Sequence, residues 1–244
     1  PFDDVNVRRA LMIGTDRKGI AETIMGRPWA HFSPIDQGHE GHVPVEKLSA
    51  SNKELFEYDV EKAKKMLADA GYPNGFGLTL HGPNDRYIND AKICQAIGQM
   101  LTRVGIDTEV ETMPKSVYFR KASRGGPNKS PAFSFILVGW GSGTGEASSP
   151  LKSLLHTYDK SRGFGASNRG RYSNAEADKL IEQALATVDD GKREKLLQRA
   201  SEIAIQDLGI TPLHYQVNTW ATRKGLAYTP RTDEYTLVMS VVTK

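Results

Sequence analysis

An α/β fold is expected for this chain, and three stretches carry the expectation. A strand, a helix and a second strand follow one another between Leu78 and Val110. A short apolar run, Phe133 to Trp140, ends in a glycine-rich bend. Two amphipathic helices, opened at Ser173 and Asp190, come next. Strand, helix, strand at this spacing is a βαβ unit, which calls for parallel pairing and a right-handed crossover.

Asp3 or Asp4 caps a first helix through Val7, Ala10, Leu11 and Gly14, with Arg8 and Arg9 on the water side. Asp16 opens a short second helix, with Ile20 and Ile24 on one face and Gly26 as its stop. Residues 27–58 carry Pro28, Pro34 and Pro44 and read as a long irregular surface loop. Asp59 caps a helix whose apolar face is Val60, Ala63, Leu67 and Ala70, and Gly71-Tyr72-Pro73-Asn74-Gly75 ends it.

Leu78 and Leu80 alternate with Thr79 and His81, as a strand does. Asn89 opens the helix of Ile93, Ile97, Leu101 and Val104, which Gly105 closes before the alternating strand Ile106 to Val110. The run Phe133 to Trp140 is nearly continuous in apolar residues, the pattern of a strand buried on both faces. Ser173-Asn174-Ala175-Glu176 reads as a capping box. The helix it opens and the one from Asp190 form a hairpin expected to pack on the sheet. Ile210 to Tyr215 reads as an edge or entering strand, because Pro212 cannot donate to a ladder. Residues 226–244 show strand and coil character with little core.

Composition narrows the function. Apolar residues make up 39% and charged residues 25%, which fits an ordinary globular protein. Ionisable residues interrupt every stretch well short of the roughly 20 apolar residues of a membrane helix. The net charge of +3 is spread along the chain in mixed runs such as Lys192-Arg193-Glu194. No basic stripe interleaved with aromatics appears, so no nucleic-acid partner is expected. Cys94 is the only cysteine, which excludes an intrachain disulfide and a cysteine-based metal site. The start, Pro1-Phe2-Asp3-Asp4, is neither an initiator Met nor a signal peptide, and the chain reads as a fragment.

Ligands of open α/β sheets sit beyond the carboxyl ends of strands, which singles out the loop Gly141-Ser142-Gly143-Thr144-Gly145-Glu146. Its spacing is wrong for a dinucleotide fingerprint, and it lacks the Lys of a P-loop. Two readings stay open: a turn that needs positive φ at glycine, or a ligand loop with exposed amides and Trp140 as a flat apolar wall. Asp36, His39, Glu40 and His42 have loose metal-ligand spacing but read as surface loop. His31, His81 and His156 stand alone and read as ordinary surface or core residues. No catalytic set emerges. Cys94 lies on the apolar side of a helix, where a thiol is inert, and Asp189-Asp190 is a helix start.

Several stretches resemble the extracellular solute-binding family that serves dipeptide, oligopeptide and nickel ABC importers. They are Val7 to Leu11 with Asp16 to Ile20, the helix and turn Asp59 to Gly75, Ile97 to Ile106, Arg171-Tyr172-Ser173-Asn174 with Asp178, and Ile210 to Leu213. They occur in the family's order and cover nearly the whole chain. The resemblance implies a periplasmic-binding-protein-like second lobe, a mixed sheet flanked by helices, over residues 1–216. Residues 217–244 would form a tail returning to the other lobe. It also implies a monomeric periplasmic receptor without cofactor, metal or chemistry, which closes on a small peptide-like ligand and meets the importer's membrane subunits.

Peptide-binding members carry an Asp shortly after the Trp that ends the strand, and it pairs with the peptide's amino group. Here Trp140 matches, but Gly143 stands at the acid's position and Glu146 is the nearest acid. The pattern resembles a variant in members that take glutathione or other modified peptides. The expected ligand set is therefore Trp140, Gly141, Ser142, Gly143, Thr144 and Glu146, with Asn84, Arg86 and Tyr87 from the loop after the first strand. Glu146 would receive a ligand cation. Arg86 would pair with a carboxylate, or be a surface Arg beside Asp85. A metal chelate or opine is the rival ligand, and a hydrolase or transferase, or a holdase for unfolded chains, is the rival activity.

Overall fold

The two largest hydrophobic clusters among the described residues lie around a parallel strand pair and around a helix hairpin. The structure is a computed structural model that describes residues 1–26, 35, 40–142, 145–231 and 235–244. Helix α1 (Val5–Ile13) is capped by the Asp4 carboxylate, which accepts from the Asn6 amide. Helix α2 (Val60–Asp69) is capped in the same way by Asp59. Between them, Arg17–Gly19 runs into a wider turn, Ile20–Ile24, with Asp16 accepting from the Gly19 amide.

Strand β1 (Gly77–Pro83), helix α3 (Asp90–Val104) and strand β2 (Asp107–Met113) form the expected unit, with β1 and β2 parallel and Leu80 opposite Val110. Helix α4 (Lys115–Arg124) follows. Leu11, Met12, Ile20, Leu67, Leu80, Ile93, Leu101 and Ile106 make the core between α1, α2, α3 and the strands. Each such side chain, fully buried, contributes about 1.5–3 kcal/mol. Cys94 belongs to this core, and burial pushes its thiol up to about 12.

The second core joins helix α5 (Ala175–Leu185), helix α6 (Asp190–Asp207) and the turns Ser148–Pro150 and Leu151–Leu155, through Leu151, Leu155, Ile181 and Leu197. The hairpin therefore forms as expected but covers residues 148–155 rather than the sheet. Beyond it, strands β3 (Leu226–Tyr228) and β4 (Val241–Thr243) pair antiparallel. Among the described residues no helix is long and apolar enough to cross a membrane.

Several local expectations change. Phe133 to Trp140 is not a strand buried on both faces. It touches β1 through one parallel bridge, His81 to Ile136, and only Phe133 and Leu137 of the run are buried. Arg8 and Arg9 do not face water: Arg8 Nε donates to the Asp207 carbonyl at 2.7 Å and Arg9 Nη2 to that of Gln206 at 3.2 Å. These carbonyls end α6, where cations are favoured. The cap of α5 is Asn174, not Ser173, whose hydroxyl instead bonds Thr157 Oγ1. Asn89 precedes α3 but its side chain donates to the Ile24 carbonyl. The described part of 27–58 holds short helical turns, Val45–Lys47, Ala50–Lys53 and Glu54–Phe56, with Leu48 and Leu55 buried. Ile210 to Tyr215 forms no strand and has a single bridge residue at His214.

Candidate functional site

Because β1, β2 and the bridged segment all run parallel, their carboxyl ends open on one edge. The loop after β1 and the loop after Val138 leave from that edge together. The Asn84 amide donates to the Met113 carbonyl at the end of β2, and Asp85 Oδ1 accepts from the Lys115 amide at 2.6 Å. The ends of β1 and β2 are thereby tied at one place.

Tyr87 links the two predicted loops. Its hydroxyl donates to the Gly139 carbonyl at 3.3 Å. A β-carbon at position 139 would stand 2.7 Å from the Tyr87 ring, so only glycine lets the phenol lie against this backbone. The Arg86 guanidinium lies 4.9 Å from the centre of the same ring, a cation–π contact. Arg86 and Asn84 are exposed, and Trp140 keeps 42% of its surface open to solvent. The Ser142 hydroxyl donates to the Glu146 carbonyl at 2.6 Å. Gly143 and Thr144 lie outside the described residues, as do Asp36 and His39.

Glu146 sits differently from the rest. Its carboxylate accepts from the Ser148 hydroxyl. It also lies 3.1 Å from Arg193 Nε, an ion pair without hydrogen-bond alignment. A ligand cation would have to compete with Arg193 for it. The assembled edge thus offers a flat indole, a phenol face carrying a guanidinium, and main-chain groups.

Comparison with known proteins identifies the lineage. The family of bacterial extracellular solute-binding proteins, family 5 Middle, matches residues 1–162, a span that takes in both loops. The chain belongs to family 5 of the bacterial extracellular solute-binding proteins. The glutathione-binding protein GsiB of Escherichia coli (strain K12) is 30% identical over 93% of this family-5 chain, which spans 42% of that protein's length. Heme-binding protein A of Haemophilus influenzae is 28% identical over 89% of the chain and 37% of its own length. The solved structure of HbpA2 from Haemophilus parasuis superposes with a TM-score of 0.79 at 25% identity, covering 99% of the chain and 45% of that protein. The α/β lobe architecture is therefore that of family 5. The chain spans less than half the length of these relatives.

Two supporting residues of this family-5 edge escaped the sequence reading. Asp90 is 3% exposed, and its Oδ2 accepts from the amides of Arg86 at 2.9 Å and Tyr87 at 3.0 Å. Its signal was an acid in the first turn of α3, a position that reads equally well as dipole compensation. Tyr118 is fully buried and donates its hydroxyl to the Leu137 carbonyl at 2.6 Å, beneath the bridged segment. Burial is the main cause that pushes its phenol above the usual range. Nothing in the α4 pattern marks Tyr118 as more than a core aromatic.

Proposed function

We propose that this chain is the second lobe of a periplasmic receptor that captures a small peptide or peptide-like solute and passes it to an ABC importer. The observation that carries the reading is Trp140, left open next to Gly139, whose carbonyl accepts from the Tyr87 hydroxyl where the strand ends converge. An amphipathic indole at this edge stands where ligands of open α/β sheets sit. In this reading Trp140 forms one wall, Gly141 and Ser142 offer main-chain groups, and Arg86 takes a ligand carboxylate. Glutathione is the leading ligand class because GsiB, named for it, aligns over 93% of the chain. Gly143, Thr144 and Glu146 complete the set on sequence grounds.

Residues 1–216 are the lobe. Residues 217–244 are assigned to the missing half, which supplies the opposite wall, so closure needs contacts that exist only in the closed state. The receptor acts as a monomer, without chemistry of its own and without nucleic acid. Its macromolecular partners are the importer's membrane subunits.

The heme-binding relative supports a second reading, a metal chelate held against the same indole. Calorimetry on the full-length protein with glutathione, an unmodified tripeptide and heme separates the readings. Trp140→Ala is expected to weaken the tightest of these ligands at least about tenfold, in the range of a buried aromatic anchor. Unchanged affinity in Trp140→Ala and Arg86→Ala would overturn the site.

A further inference from the structure

We propose that Arg193, on a helix of the other core, is the positioning residue of the loop that follows Trp140. The inference rests on the reading of Trp140 and its neighbours as the ligand face, and it concerns how that face is held.

Among the described residues, the loop's main-chain pairing is with Glu40 rather than with β1 or β2. Its return leg pairs with Glu40: the Glu40 amide donates to the Gly145 carbonyl at 3.3 Å, and the Ala147 amide to the Glu40 carbonyl at 2.8 Å. This is a parallel bridge that sets Glu40 directly opposite Glu146. Both side chains are mostly buried, with 24% and 20% exposed. Like charges directly opposite on paired backbones repel. Arg193 resolves the conflict. Its Nη2 donates to Glu40 Oε2 at 3.3 Å and to Asp190 Oδ1 at 2.9 Å, and its Nε faces Glu146 Oε2 at 3.1 Å. The fork of a guanidinium spans two carboxylates in a way an ammonium cannot.

The same stripe of α6 grips the bridge in two more places. Leu197 and Ser201 follow Arg193 at four-residue steps, on one helix face. The Ser201 hydroxyl donates to the Gly41 carbonyl at 3.0 Å. Gly41, at φ +88, fits between Ala147 and Leu197, where an added β-carbon would come within 2.6 Å and 2.8 Å of theirs. Backbone, packing and charge therefore all tie the loop's return leg to α6. From Glu146 the tie passes to Ser142 through its hydroxyl and so reaches the residues beside Trp140.

The test uses full-length protein labelled with 5-fluorotryptophan, the Trp140 resonance being assigned by its loss in Trp140→Phe. Arg193→Gln is expected to shift or broaden that resonance without ligand and to weaken glutathione binding roughly 3- to 30-fold. Adding Glu40→Gln and Glu146→Gln to Arg193→Gln removes the repulsion and restores the resonance. A merely destabilised fold would show no such rescue. Arg193→Lys, which keeps the charge, gives an intermediate effect and serves should Arg193→Gln fail to fold. A Trp140 resonance that Arg193→Gln and Arg193→Lys both leave in place overturns the proposal. The ligand-face reading fails separately, through unchanged affinity in Trp140→Ala, whatever the resonance does.

Discussion

Asp90 illustrates how a single buried carboxylate builds a binding edge from a distance. It touches no predicted ligand group through a side chain, yet it holds the Arg86 and Tyr87 amides and so fixes where the phenol and the guanidinium stand. A carboxylate that accepts several amide bonds is costly to replace, because part-buried donors are left without a partner. Asp90→Ala in the full-length protein is expected to cost about 1–3 kcal/mol of stability. Asp90→Asn, which keeps acceptor oxygen, should cost less. Urea titration followed by circular dichroism measures both, and equal costs would show that the amide bonds are not what matters. Arg17 shows the same logic in reverse. Buried at 3% exposure, it stacks 5.2 Å from the centre of Phe56, and burial lowers its guanidinium to about 10, still charged at neutral pH.

At the level of elements, legibility followed the range of the interactions that decide each one. The strands β1 and β2 and the helix α3 were readable because alternation and helical spacing are local, and the glycine after α3 stops it wherever it sits. Phe133 to Trp140 was misread because a continuous apolar run reports burial but not pairing. What decides its state is the presence of neighbours, and it has one bridge to β1. Asn174 and Ser173 are equally good caps in sequence, and only the fold shows that Ser173 is taken by Thr157. Arg8 was placed in water because its partner lies 199 positions away. Of the candidate site, both loops and Trp140 were legible. The engagement of Glu146 by Arg193 was not, since it depends on two cores meeting.

The loop between the second core's turns and α5 carries its own pH dependence. His156, buried at the end of Leu151–Leu155, bonds Glu182 of α5 at 3.0 Å, and Arg162 bonds the same oxygen. The His156 bond is the leading reason the Glu182 carboxyl lies below its ordinary 4.5. Ser161 and then Arg162 hold Asp159 well below the usual carboxylate range. Depressed folded-state values mean that both acids stabilise the fold above their unfolded pKa, and that this is lost as pH falls through the folded one. The contribution is modest, because both groups are open to water. In full-length protein, Glu182→Gln with Asp159→Asn should flatten the loss of urea stability as pH falls below 4.5. Parallel curves for variant and parent would refute the assignment.

The molecule as a whole leaves apolar surface at its far end without a core of its own. None of the hydrophobic clusters among the described residues takes in a position after Leu213. Strands β3 and β4 pair over only three residues each, too little to persist in water without cover. On and around them Val238 is 88% exposed, Met239 82% and Tyr235 68%. Since the chain spans 42% of GsiB's length, the proposed cover is the remainder of the full-length protein. Exposure alone does not prove this, for Val188 in the α5–α6 turn is 91% exposed and belongs to the hairpin tip. The two sites make a matched pair. In the full-length protein Met239→Asp should cost about 2–4 kcal/mol, because a charge would be forced into a buried contact. Val188→Asp should stay within about 0.5 kcal/mol, as for a solvated position. Equal and small costs would mean that residues 217–244 do not pack against the other half, and the boundary at 216 would lose its meaning.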